Sequence, residues 1–202
     1  MIKNNTNVKT GKQSSKKNEV GQIRVIGGKW RGRKLPVVSE EGLRPTGDRM
    51  KETLFNWLMH DLTDANCLDL FAGSGALGFE AASRYAGSVT FIEKSKIAAI
   101  TIKENIAKLS ANNLIIFQMD ALEYLNQKPS KPFDIIFIDP PFRKGLLGEV
   151  LIKLTAHSFA QKGSRIYIET EREAIIEDIP NDWFLIKEKN TGQVCHRLFE
   201  HG

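Results

Sequence analysis

Cys67-Leu68-Asp69-Leu70-Phe71-Ala72-Gly73-Ser74-Gly75-Ala76-Leu77-Gly78 is the stretch that decides the fold. Residues 67–71 read as a buried strand, and the chain then passes through a glycine-rich turn into an alanine-rich helix. Glycines permit positive φ and let a ligand approach the backbone, while the helix N-terminus offers unpaired N–H groups. The spacing Gly73-x-Gly75-x-x-Gly78 is the dinucleotide fingerprint. A second strand over 89–92 ends in Glu93, twenty residues beyond Gly73, where an acid can grip both hydroxyls of a ribose. Strand, glycine turn, helix, strand and terminal acid in this register predict a nucleoside site at the edge of a parallel α/β sheet.

Downstream, Asp139-Pro140-Pro141-Phe142 follows directly on the apolar run 133–138, itself a predicted buried strand. The prolines fix φ and lack N–H groups, so the chain leaves the sheet in a stiff, extended turn. Such a turn can aim the Asp139 side chain and the Pro140 carbonyl at one point, with the Phe142 ring beside it. Two acceptors and a stacking face suit a planar amino group, such as the exocyclic amine of a nucleobase. The plainer alternative is a proline-rich loop with an exposed acid.

NAD(H) and S-adenosylmethionine both satisfy the glycine pattern. A nicotinamide enzyme usually needs a second domain to present its substrate, and 202 residues predict one domain. Asp69, four residues before Gly73, is awkward beside a pyrophosphate but suits a cationic sulfonium or ammonium. No His or Cys stands out as hydride-transfer machinery. S-adenosylmethionine is the better ligand on these grounds.

The rest of the chain alternates as a parallel sheet covered by helices does. A helix is expected over 95–109, a strand over 114–118, helices over 121–127 and 146–157, a strand over 165–169, and a closing pair over 183–188 and 194–200. Asp120 falls at the carboxyl edge of the sheet, where open α/β folds bind ligands. It reads both as an acceptor for an adenine amino group and as the N-cap of the helix that follows.

Charge is unevenly spread. Residues 1–60 hold 13 basic and 5 acidic residues, a local charge of +8, which leaves −3 for the remainder of a chain totalling +5. A basic amino-terminal third on a mildly acidic body suggests a face that touches phosphates. Residues 1–20 lack the large apolar groups needed to offset ordering entropy and read as a flexible polar tail. Residues 21–202 then form a single domain, with 21–60 as a basic extension and 61–202 as the core. Within the extension, 23–35 read as a short hairpin turning at Gly27-Gly28. Arg24, Lys29, Arg31, Arg33 and Lys34 suit RNA phosphates, and Trp30 either stacks on an unpaired base or pins the hairpin to the domain. A helix over 50–58 follows, with Thr46 or Asp48 as its cap.

Cys67 and Cys195 have no metal-binding spacing, and neither do His60, His157, His196 and His201. No secretory segment or apolar stretch of membrane length is present, so a cytoplasmic protein that uses no metal and no membrane is expected.

The two motifs together, Asp-x-Phe-x-Gly-x-Gly at Asp69, Phe71, Gly73 and Gly75 and Asp-Pro-Pro-Phe at 139–142, resemble the class I methyltransferases that modify exocyclic amino groups. A fuller match is carried by Gln22-Ile-Arg-Val-Ile-Gly-Gly-Lys-Trp-Arg-Gly-Arg-Lys-Leu-Pro36 and by Arg44-Pro-Thr-Gly-Asp-Arg49 through Leu58. These blocks are similar to the bacterial 16S rRNA guanine-N2 methyltransferase RsmD family, from about Gly21 to Phe199. The resemblance implies a Rossmann-like class I fold, a seven-stranded, mostly parallel sheet with one antiparallel strand, helices on both faces and a basic amino-terminal hairpin. It implies S-adenosylmethionine as methyl donor, held by Asp69, Phe71, Gly73, Gly75, Glu93, Asp120 and Thr46. Arg44, Thr46 and Arg49 are candidates for the cofactor carboxylate or an RNA phosphate, with Arg44 and Arg49 assigned to RNA. Asp139, Pro140 and Phe142 become the catalytic residues, and the expected partner is 16S rRNA in the small ribosomal subunit or an assembly intermediate. Other readings compatible with the same turn are an adenine-N6 DNA or RNA methyltransferase, a protein-glutamine methyltransferase, and a non-catalytic RNA-binding assembly factor.

Overall fold

A computed structural model describes residues 20–38, 47–142 and 144–202. Two strands, β1 (Val20–Arg24) and β2 (Lys34–Val38), pair antiparallel with Ile23 opposite Leu35 and Arg24 opposite Lys34. Gly27-Gly28 opens a longer connection than a tight two-residue turn, containing one 3-10 turn over Gly28–Trp30. Helix α1 (Asp48–Trp57) follows. Gly47 is its N-cap and Asp48 lies in its first turn, so Asp48 does not cap the helix as expected but pairs with Lys51 at 3.1 Å. Thr46, the other expected cap, lies outside the described residues.

The body contains β3 (Asn66–Asp69), α2 (Ala76–Ser83), β4 (Ser88–Glu93), α3 (Lys96–Lys108), β5 (Leu114–Gln118), α4 (Ala121–Tyr124) and β6 (Phe133–Ile138). It continues through α5 (Leu146–Ala156), β7 (Ala160–Glu171), β8 (Trp183–Thr191) and β9 (Val194–His201). These strands form one seven-stranded sheet in the order β5-β4-β3-β6-β7-β9-β8. β9 pairs antiparallel with both neighbours, and the pairings among β5, β4, β3, β6 and β7 are parallel. This is the seven-stranded sheet with one antiparallel strand that the motifs imply. From β3 the chain works outward through β4 to β5, then crosses back to lay β6 on the other side of β3. The carboxyl ends of β3 and β6 therefore flank the crevice where open α/β sheets bind ligands.

A strand buried on both faces is apolar throughout. β6 shows this: Ile135 and Phe137 face a core with Phe55, Phe79, Phe91 and Tyr167, while Ile136 and Ile138 face Leu68, Leu154, Phe159 and Ile166. The first core is roofed by α1, α2 and α3, the second by α4 and α5. β7 is longer than the expected 165–169, because pairing with β6 resumes on the far side of a register shift between Phe133 and Ile135.

The hairpin is fastened to the body by polar bonds. Trp30 N–H donates to Ser83 Oγ (2.9 Å), whose hydroxyl donates to the Gly27 carbonyl (2.6 Å). Ile26 N–H donates to Glu80 Oε2 (2.8 Å). Gly28 has φ +73°, and a Cβ there would lie 1.8 Å from the Ser83 carbonyl oxygen, so only glycine fits this approach. The buried Lys51 of α1 donates to the Arg24 carbonyl (2.6 Å), tying the hairpin to a second helix.

Candidate functional site

The glycine turn leaves the end of β3 with Gly73 at φ +53° and Gly75 at φ +77°, a left-handed backbone that side chains disfavour. A Cβ at Gly78 would meet the Phe91 ring at 2.1 Å, so the third glycine lets α2 press onto β4. Two carboxylates set the turn. Asp69 Oδ2 accepts from Gly78 N–H (2.9 Å), and Glu93 at the tip of β4 accepts from Gly73 N–H and Ser95 N–H (2.6 Å each). Glu93 thus shapes the turn, at the carboxyl edge of the sheet where the spacing predicts a ribose-binding acid.

Asp69 is 3% exposed, and burial pushes its carboxyl up to about 7, with Glu93 and Glu169 adding and the Gly78 N–H opposing. The full negative charge expected of Asp69 is therefore damped. Phe71 is half-buried against the second core. Asp120 caps α4 through Leu122 N–H (2.9 Å) and pairs with Lys94 at 3.0 Å. Desolvation opposes its ionisation, but the Lys94 ammonium and the backbone N–H prevail and hold its carboxyl below the usual range. Its second reading, an acceptor at the carboxyl edge of the sheet, matches its position after β5.

Asp139 leaves β6 one strand from Asp69. It is half-buried, and its carboxyl is pushed well above the ordinary carboxylate range by desolvation, then by Glu169 and Asp69. Pro140 is buried, whereas the Phe142 ring is exposed beside it. Acceptor and stacking face are thus both present at the turn.

Glu169, which the sequence reading passed over, lies on β7 beside β6 and is 5% exposed. Tyr167 Oη donates to Glu169 Oε1 (2.8 Å) and sits 2.7 Å from His196 Nδ1. A hydroxyl has one proton, so in this arrangement the His196 ring nitrogen is the donor to Tyr167. Burial and the Glu169 charge both keep the Tyr167 hydroxyl protonated. The available signal was the repeated grammar of the sheet: apolar strands running into an acid at Asp69, Glu93, Asp139 and Glu169.

Among the expected RNA contacts, Arg24, Lys29, Arg31, Arg33, Lys34 and Arg49 are exposed. Trp30 is buried, with Lys29 Nζ 4.6 Å from its ring centroid. Its indole pins the hairpin and offers no open face to a base. Arg44 and Thr46 lie outside the described residues. No helix among the described residues is long and apolar enough to cross a membrane.

A family model described as conserved hypothetical protein 95 matches residues 23–200. The chain is 49% identical over 180 residues to ribosomal RNA small subunit methyltransferase D of Escherichia coli strain K12, covering 89% of this chain and 90% of that protein. The protein of the same name from Haemophilus influenzae is 46% identical over 187 residues, covering 91% of this chain and 96% of that one. The solved structure of yhhF from Escherichia coli, a candidate methyltransferase, superposes with a TM-score of 0.82 at 49% identity, covering 90% of this chain and 98% of that one. A Rossmann-like sheet, a glycine turn and an Asp-Pro-Pro-Phe turn at its switch point, and likeness along nine-tenths of the chain all agree: this chain belongs to the conserved hypothetical protein 95 family, that of the small-subunit ribosomal RNA methyltransferase D proteins.

Proposed function

We propose that this protein methylates the exocyclic N2 of a guanine in 16S rRNA, with S-adenosylmethionine as donor and the small ribosomal subunit or an assembly intermediate as substrate. The observation that carries this reading is the placement of the Asp139-Pro140-Pro141-Phe142 turn beside the glycine turn, at the reversal point of the sheet. The residues fit the donor: positive-φ glycines admit it, and the Glu93 and Asp120 carboxylates stand at the sheet edge where it would lie. When bound, the donor supplies a methyl group already activated by its sulfonium.

Guanine N2 is a poor nucleophile because its lone pair is delocalised into the ring. Hydrogen bonds from the amine to Asp139 and to the Pro140 carbonyl turn that lone pair toward the methyl carbon and stabilise positive charge developing on nitrogen. Bound S-adenosylmethionine would supply the methyl group, and Asp139 and Pro140 would hold N2 in line with it. Phe142 stacks on the extruded base, offsetting an unstacking cost of a few kcal/mol. Much of the acceleration comes from positioning rather than from strong base catalysis. The exposed arginines and lysines of the hairpin hold phosphates, and Arg49 extends that face along α1.

Methyl transfer from labelled S-adenosylmethionine to unmodified 30S particles, naked 16S rRNA and duplex DNA, followed by nucleoside mass spectrometry, tests this reading. N2-methylguanosine from the 30S particles or the rRNA is the expected product. N6-methyladenine would overturn the choice of base. No label anywhere, with donor bound, would point to a protein substrate or a binding factor.

A further inference from the structure

β8 is the outermost strand of the sheet, on the side of the Asp139 turn away from the glycine turn. Ile138 pairs with Ile168, so Asp139 leaves β6 level with Glu169. Glu169 pairs with His196, and His196 pairs with Lys189. Lys189 therefore stands in line with the Asp139 turn, three strands away. At about 4.8 Å per strand, the two backbones are about 14 Å apart.

Lys189 is held against α1. Its ammonium donates to Thr53 Oγ1 (3.1 Å), while the Thr53 hydroxyl donates to the Arg49 carbonyl (3.0 Å). An ammonium has three N–H donors, so two remain. Residues directly opposite on paired strands share a face. Lys187 is opposite Leu198, which is buried in the core beneath α1, so Lys187 lies on the same face two residues along the edge. Lys187, Lys189 and Arg49 are all exposed. Of the acids on these two elements, Glu188 pairs with Arg197 on the opposite face of β8 (2.8 Å), Asp48 pairs with Lys51 (3.1 Å), and Glu52 is exposed.

The hairpin sits on the other flank of the turn. Glu80 and Ser83 bind it to α2, and Asn105 Nδ2 of α3 donates to the Pro36 carbonyl (2.9 Å). Both helices pack over the β3, β4 and β5 side of the sheet. We propose that Lys187 and Lys189, beside Arg49, form a second phosphate-binding contact for RNA, so that the strand carrying the target base spans the Asp139 turn and is held on both flanks. This rests on the methyl-transfer reading above. An extruded base has phosphates on both sides, and a grip on one side alone leaves the strand free to swing about it.

The test measures affinity against salt on unmodified 30S particles or naked 16S rRNA, whichever the wild type methylates. Each phosphate contact adds about 0.7 to 0.9 to the slope of log affinity against log salt, so Lys187→Ala with Lys189→Ala should lower it by about 1.4 to 1.8. Lys187→Arg with Lys189→Arg should keep the wild-type slope. Adding Arg31→Ala and Arg33→Ala to the alanine pair should bring the fall to about 2.8 to 3.6, because contacts on opposite flanks meet different phosphates. S-adenosylhomocysteine affinity should stay within a few-fold throughout. β8 also exposes Phe184, Leu185 and Ile186 at a sheet edge, and lysines guard such edges against pairing with another chain. If that is their whole role, the alanine pair self-associates in sedimentation with a wild-type slope, and the proposal falls while the methyl-transfer reading stands. A combined fall no larger than that of the hairpin variant alone would put both sets on the same phosphates and overturn the two-sided grip. Failure of the wild type to methylate either RNA would overturn the methyl-transfer reading, and this proposal with it.

Discussion

Replacing Asp69 by Asn should flatten the dependence of stability on pH, by an amount that follows from burial. The Asp69 carboxyl is 3% exposed and is raised from near 3.8 to about 7, chiefly by desolvation. Between those two values the native chain holds a proton that the unfolded chain has released. The stability this group contributes is full below the unfolded pKa and is lost as pH rises through the folded one. At 1.36 kcal/mol per unit the total loss is about 4 kcal/mol, of which roughly 3 kcal/mol falls between pH 5 and pH 8. Asn keeps an oxygen for the Gly78 N–H and has no charge to bury. For a domain of this size the wild-type Tm should therefore drop by roughly 6 to 12 °C more than that of Asp69→Asn between pH 5 and pH 8. Asp139 is present in both proteins, so the difference between the curves reports Asp69 and its coupling to that neighbour. Thermal melts at several pH values, checked by urea unfolding, decide it. Parallel curves for the two proteins would refute the reasoning.

Asp139→Ala should reduce methyl transfer to background while S-adenosylhomocysteine, measured by calorimetry, binds within a few-fold of wild type; collapse of that binding would move Asp139 into the donor site. Gly28→Ala forces a side chain into the Ser83 carbonyl and costs about 1–2 kcal/mol from the left-handed backbone alone. Hydrogen exchange at the Ile26 and Trp30 amides should accelerate and rRNA affinity should fall, with donor affinity unchanged. Arg31→Ala combined with Arg33→Ala should lower the slope of log affinity against log salt by about 1.4 to 1.8 if each holds one phosphate. An identical slope would remove both from the RNA face.

Much of the architecture was legible because its signals are local. The glycine spacing requires positive φ at Gly73 and Gly75, and the prolines after Ile138 fix where the sheet ends. Strand ends were less legible: β3 stops at Asp69 rather than at residue 71, because the chain starts to bend into the glycine turn as soon as Leu70 has bonded to the Phe137 carbonyl at 3.1 Å. The hairpin's anchoring was hidden, since Glu80 and Ser83 sit in an alanine-rich helix where a polar residue reads as surface, yet both are buried. Trp30 shows the same limit. Basic neighbours suggested an exposed ring, but its burial is decided by α2, some fifty residues away in sequence. Glu169 escaped notice because its meaning depends on strands β6, β7 and β9 lying side by side.

Helix α2 has only eight residues, about 12 Å of length, and it is held at both ends. Its first turn is the glycine loop, and its last turn carries the Glu80 and Ser83 bonds to the hairpin. In engineering terms it is a gauge block: the surface that locates the workpiece and the tool that modifies it are referenced to one short, stiff part. Few joints intervene, so in the proposed reaction little positional error would accumulate between an RNA backbone held by the hairpin and the transferred methyl group. Drift in the hairpin on its own scaffold would cost accuracy of aim before it cost affinity for either ligand.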